Sequence, residues 1–373
     1  MTRRATRALF LLALLAVAAL PAGGCWDAVD LKDRALVFGV AIDRAPDGRL
    51  VTTMQVSQPA MGGQTRPTIF PGAARNVTVV TPTLNEVVPL VQSMLSQAVL
   101  LSHLRAIILG EELARDAGLA ELVLETLMRS PSADDSAFLL VAHGRAQDIL
   151  EVPTQPFPAL FLNDMFDNAG QSLPVPRLAL WEMLRAIEMP GREACAPGVR
   201  VAGTTIQVTG TAVFDGFHMV GWLDDVETRG LLWMLGRGTG LSFSLPTPAG
   251  QAGVQAVRTR VMLRPRTDGG RPAMDVTARL VGVVFRKPPR MRTITSRDFA
   301  LIRRYTELEV ERVMKRALDA LQKRLMSDVV GMGRVFYYRR PALWEKLNWQ
   351  EDFPRLPVRL RARVTLERKG LLR

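Results

Sequence analysis

Apolar positions recur along the chain with three spacings, and each spacing predicts a different element. Residues 35–42 (ALVFGVAI) are almost unbroken apolar, the pattern of a strand covered on both faces. Residues 50–56 (LVTTMQV) follow across the turn pair Asp47-Gly48, so the two runs predict a hairpin. Asn76–Val80 predicts a third strand. Thr83-Leu84-Asn85-Glu86 has capping-box form and opens a helix to about Ala98, with a kink expected at Pro89. Residues 104–109, a helix from Gly110-Glu111-Glu112 to about Arg129, and residues 136–142 predict a strand–helix–strand unit. Residues 151–200 hold seven prolines and predict a connector with two short helices, near 159–169 and 176–187. Strands at 203–214 and 217–223, joined through Asp215-Gly216, and a short helix over 225–236 follow.

The last part of the chain is patterned most regularly. Residues 253–263 and 273–285 predict two strands around Thr267-Asp268-Gly269-Gly270. Residues 298–326 predict one amphipathic helix about 43 Å long, with Leu301, Tyr305, Leu308, Val313, Ala317, Leu321 and Leu325 as its buried stripe. Residues 358–367 alternate strictly. Val358, Leu360, Ala362, Val364 and Leu366 face one way, and Arg359, Arg361, Arg363 and Glu367 the other. The helix is expected to cover the apolar side of this sheet. The arginines then form a basic stripe on its open face, about 6.6 Å apart. The fold class expected is α+β, or mixed α/β, in three sheet-plus-helix domains after an export signal: residues 1–24 as signal, 25–150, 151–245 and 246–373.

The amino end changes the picture. Arg3, Arg4 and Arg7 precede an apolar run at 8–20, then Pro21 and Ala22-Gly23-Gly24-Cys25. Thirteen helical residues reach about 20 Å, short of the roughly 30 Å hydrocarbon slab, so this run predicts an export signal rather than a spanning helix. A cysteine directly after the small residues is the acceptor of a lipoprotein signal. Cleavage before Cys25 would leave a diacylglycerol-modified amino terminus on an otherwise water-compatible chain. Cys195 then has no partner for an intramolecular disulfide, and His103, His143 and His218 show no zinc spacing.

Charge is uneven. Residues 25–285 hold 22 basic and 26 acidic groups, whereas residues 286–373 hold 23 basic and 10 acidic. Such a basic end suits anionic lipid or an acidic protein partner. Export argues against nucleic acid. Catalytic patterns are missing: no nucleophile elbow, zinc-protease motif, phosphate loop or dinucleotide fingerprint occurs. The pairs Asp134-Asp135 and Asp224-Asp225 are expected in turns or caps, because adjacent side chains point apart. Trp222, Trp233, Trp344 and Trp349 are expected mainly in core packing. No enzyme, cofactor or metal is expected; the covalent lipid on Cys25 is the one added group.

Several stretches in order then carry a resemblance. They are Cys25-Trp26-Asp27, residues 32–43 (LKDRALVFGVAID), His103-Leu104-Arg105, residues 110–115 (GEELAR), 210–214 (GTAVF), 221–233 (GWLDDVETRGLLW), 327–333 (SDVVGMG) and the closing Arg368-Lys369-Gly370. Together they resemble the Ger(x)C family, the C-type lipoprotein subunits of spore germinant receptors, over essentially the whole mature chain. The resemblance implies three mixed α/β domains and a non-enzymatic subunit on the outer face of the spore inner membrane. It also implies docking beside the A and B membrane subunits. Only Cys25 receives a chemical role from it, as lipid acceptor. Asp224, Glu227, Arg229 and Trp233 match a family motif and, with Arg359, Arg361 and Arg363, are candidate interface residues. A solute-binding lipoprotein of a transporter is the alternative; such proteins have two similar lobes. An exported hydrolase would need a catalytic set absent from this sequence.

Overall fold

The computed structural model describes residues 34–57, 74–168, 173–291 and 295–367. The expected export signal, Cys25 and most of the Gly/Pro-rich stretch at 59–74 lie outside them. The first unit is built on β1 (Arg34–Arg44), β2 (Leu50–Ser57), β3 (Ala74–Thr81), β4 (Ala98–Leu100), β5 (Ala106–Leu109) and β6 (Phe138–Ala142). As its unbroken apolar run predicts, β1 is buried on both sides. Ala35, Val37, Val40 and Ile42 enter one core and Leu36, Phe38 and Ala41 the other. The first core is closed by α1 (Val87–Met94) and α2 (Ala117–Arg129). The second is closed by a short helix at Ala146–Leu150 and by α3 (Pro158–Asn168).

Two helices differ from expectation for local reasons. α1 stops at Met94 because the Gln92 amide closes the next loop, donating to Gln97 O and accepting from Val99 N, both at 2.8 Å. Pro89 lies in its first turn, where the missing N–H costs no helical bond. The segment after Gly110 is two helices, Glu111–Arg115 and α2, because Asp116 turns extended and caps Leu119 N at 3.1 Å.

The expected boundary at 150/151 does not separate two sheets. After α4 (Leu180–Glu188), β7 (Cys195–Ala202) pairs in parallel with β6. Then β8 (Thr205–Asp215) and β9 (His218–Leu223) extend the same sheet, in the order β3-β2-β1-β5-β6-β7-β8-β9 with β4 beside β1. β7 falls largely inside the stretch expected as a connector, where Pro197 interrupts the strand pattern. A register shift between Pro197 and Val199 accommodates the residue that lacks an N–H. Cys195 therefore sits in a buried strand rather than a loop.

α5 (Asp225–Met234) leads to a second sheet of β10 (Ser242–Thr247), β11 (Gly250–Asp268), β12 (Arg271–Arg286) and β13 (Val358–Glu367), paired in that order. The expected boundary at 245/246 falls inside β10, whose Pro246 is tolerated because the strand is an edge. α6 (Ser296–Asp319) continues through π-helical turns to Leu325 and packs on the apolar side of this sheet. Its buried stripe is Ile302, Thr306, Val310, Val313, Met314, Ala317 and Leu318. Leu308, expected in the stripe, is 43% exposed. α6 also caps the free edge of the sheet: Glu311 and Glu307 accept from the backbone amides of Ala362 and Val364 at 2.9 and 3.1 Å. An edge strand that would otherwise offer bare donors is thus closed by side chains. The α+β class expected is the class observed.

Candidate functional site

The block at 221–233 forms a joint between the two sheets. Asp224 caps α5, accepting from Glu227 N at 2.8 Å, and Glu227 returns the bond by accepting from Asp224 N at 3.0 Å. Glu227 is buried and also takes Arg324 Nη2 at 2.7 Å, while Arg316 reaches Asp224 Oδ2 at 2.5 Å. Arg324 closes the joint by donating to Trp222 O at 2.9 Å. Thr209 and Gly210 donate to Asp225, which ties α5 back to β8. At Gly230 the helices α5 and α6 touch backbone to backbone: a Cβ there would lie 2.3 Å from Val313 O. Trp233 is buried, edge-on to Phe243. Arg229 is half-buried and makes no ion pair among the described residues. Asp224, Glu227 and Trp233 are therefore spent on internal contacts, and the motif reads as a latch holding α6.

The 327–333 segment makes a second joint. Ser327 Oγ donates to Phe214 O at 2.6 Å, and Asp328 O accepts from Glu193 N at 3.0 Å. The Asp328 carboxylate is enclosed, accepting from Gly331 N at 2.9 Å, Gly333 N at 2.8 Å and Trp349 Nε1 at 3.1 Å. Burial wins over these donors and pushes its pKa up to about 6. Burial also raises the neighbouring Glu193. For a carboxyl raised in the folded state, the protonated form is the stabilised one. Its contribution is full below the unfolded value near 3.8 and is lost as pH rises through 6. Wild type should therefore lose on the order of 3 kcal/mol from this group between about pH 4 and pH 7. Asp328→Asn should remove that share of the pH dependence. Urea midpoints of both proteins at the two pH values check this; parallel pH profiles would sink it.

The third feature is the open face of the second sheet. The alternation read from residues 358–367 is the alternation found, with Arg359, Arg361 and Arg363 exposed. Register adds what one strand could not show. β12 sets Asp275, Thr277 and Arg279 beside those three arginines, and β11 sets Arg264, Met262 and Arg260 beside the same residues. Arg258, Arg266 and Arg271 complete the face, so nine arginines share it. Arg260, Arg279 and Arg363 stand side by side in one row, strands about 4.8 Å apart. Among the described residues, Asp275 pairs with Arg266 at 2.9 Å, Asp268 lies 3.7 Å from Arg266, and Glu367 lies at the far end. Like charges directly opposite oppose folding, so this row is retained at a cost in stability. Alternating arginines at 258, 260, 264 and 266 were the sequence signal for the part missed.

The remaining chemical candidates are absorbed by structure. Asp134 accepts from Ser136 and from Arg105, and His103 lies edge-on to Phe38 at 6.3 Å. His143 stacks on Trp222 at 3.8 Å, and Trp222 donates to Glu111 at 3.0 Å. Burial raises the Cys195 thiol, which makes it a poor nucleophile. Among the described residues no group of acidic, histidine or cysteine side chains could hold a metal ion. No described helix is long and apolar enough to cross a membrane.

A long mixed sheet continued into a smaller sheet, with one helix latched across both, defines a two-sheet α+β protein whose exposed chemistry is basic. Comparison with known proteins assigns it a family. Residues 27–201 match the family described as spore germination protein N-terminal domain, and residues 209–370 match spore germination B3/GerAC-like, C-terminal. The chain belongs to the Ger(x)C family of spore germination proteins. It is 24% identical to spore germination protein KC of Bacillus subtilis (strain 168), covering 97% of this chain and 96% of the relative. It is 24% identical to spore germination protein B3 of the same organism, covering 88% and 90%. The crystal structure of the GerBC protein superposes with a TM-score of 0.61 at 19% identity, covering 92% of this chain and all of that one. The two sheets differ in size and strand order, so the twin lobes of a transporter's solute-binding lipoprotein are not the plan here.

Proposed function

We propose that this chain is a non-enzymatic, lipid-anchored C subunit of a spore germinant receptor. An acyl lipid on Cys25 holds it at the outer face of the spore inner membrane, beside the A and B subunits. The observation that carries this reading is the family match over nearly the whole chain, joined to an N-terminal sequence of lipoprotein form. The arginine-lined sheet face supports it further. A flat array of guanidinium groups with few acids complements anionic headgroups, and a tether at the amino end would keep the body near them. Each arginine near such a surface contributes about 1 kcal/mol, or roughly fivefold in affinity.

The face is tested with the mature chain from residue 25 carrying Cys25→Ala, so that neither the apolar signal run nor an acyl group masks weaker attraction. Sedimentation with phosphatidylglycerol vesicles should show binding that falls with salt and is absent on phosphatidylcholine. Reversing Arg359, Arg361 and Arg363 to glutamate should weaken it at least about a hundredfold. Unchanged sedimentation would reject the headgroup role. Unchanged sedimentation together with lost co-purification of membrane subunits would assign the face to an acidic protein instead.

A further inference from the structure

A second basic site lies where the two units meet, in a cleft of about 170 Å³ lined by α4, residues 189–195 and the start of the helix at Met332–Arg339. Arg185, Arg192 and Arg334 converge on it. The approach is fixed by backbone, since Arg334 N donates to Gly191 O at 2.7 Å. Arg177, Arg237 and two acids also line the cleft, and both acids are already engaged. Glu182 accepts from Ala179 N at 3.0 Å and faces Arg237 at 3.8 Å, and Glu193 accepts from Gly216 N at 2.9 Å. Arg185, Arg192 and Arg334 make no ion pair among the described residues. Nε of Arg192 is buried and has no hydrogen-bond partner among them. A buried donor without an acceptor is costly, and an oxyanion bound beside it would supply both that acceptor and a counter-charge for three unpaired guanidinium groups.

We infer that this cleft binds a small soluble oxyanion, a carboxylate or phosphate compound, through Arg185, Arg192 and Arg334. Guanidinium forks match the paired oxygens of either group. Burial and the charges of Arg192 and Arg185 pull the pKa of Arg334 down, against a smaller opposing pull from Tyr338 and Asp328. The cleft opens to solvent, so a small acid can enter and meet the guanidinium groups directly. The site goes beyond the receptor reading and does not depend on it, because binding belongs to the isolated chain.

The test is thermal unfolding of the purified full chain with inorganic phosphate or succinate against chloride at matched ionic strength. Wild type should show a saturable rise in melting temperature with at least one of the two. Arg192→Gln/Arg334→Gln should lose that rise. Should the double variant fail to fold, Arg185→Gln, on an exposed side chain, should raise the half-saturating concentration about tenfold. Absence of a saturable rise with both anions would overturn the inference. So would an equal rise in the variants, which marks adventitious binding only, or a response confined to phosphatidylglycerol micelles.

Discussion

Gly230→Val is expected to destabilise the protein by about 3 kcal/mol or more, a fall of roughly 6–12 °C in melting temperature. A Cβ on Gly230 would stand 2.3 Å from Val313 O and 2.9 Å from its carbonyl carbon, with Ala317 Cβ at 2.7 Å. Two of these are backbone atoms inside α6 and cannot turn aside. The helices must separate, and separation pulls Arg316 and Arg324 from Asp224 and Glu227. Glu227, only 5% exposed, would then keep its charge with a cation withdrawn. Gly230→Ala should show the same direction with a smaller loss. Urea or thermal unfolding decides it; a valine variant within about 0.5 kcal/mol of wild type would contradict the close packing.

Cys25→Ala is expected to move the chain from the membrane pellet to the supernatant and to abolish nutrient-triggered germination. Burial of acyl carbons contributes about 0.8 kcal/mol per CH₂, and stable anchoring takes more than one chain. Attraction by the basic face alone is weaker and screened by salt. High-salt washing of spore membranes should therefore strip the variant and leave wild type in place. A variant that stays in the pellet and germinates normally would rule out lipid on Cys25 as the anchor.

Local pattern carried much of the fold. The β1–β2 hairpin, the helix near 296–325 and the alternation of β13 were all legible, because each is set by neighbours in sequence. Register and burial were harder. Val313, Ala317, Leu321 and Leu325 of the expected stripe are buried, but Leu308 is apolar yet lies on the solvent side, and Thr306 is polar yet buried with its hydroxyl bonded to Ile302 O. The domain partition followed the proline-rich stretch and the element pattern along the chain, but strand pairing reaches past both, and β7 joins β6 across the proline-rich stretch.

The sites show the same limit. The 221–233 motif was visible, but its role was not, because its partners Arg316 and Arg324 lie more than eighty residues away. Summing charge by segment hid the basic face, for Arg258, Arg260, Arg264, Arg266 and Arg279 sit in the part of the chain that is net acidic. Only the pairing of β11, β12 and β13 puts them beside Arg359, Arg361 and Arg363. The oxyanion cleft joins residues near 185–192 to Arg334, a distance no local pattern encodes.

The most direct measurement is affinity isolation of the C-terminally tagged chain from detergent-solubilised spore membranes, with the eluate identified by mass spectrometry. The account predicts that polytopic receptor subunits elute with it, alongside an acylated amino terminus at Cys25. A chain that elutes alone, with an unmodified thiol at that position, would contradict it.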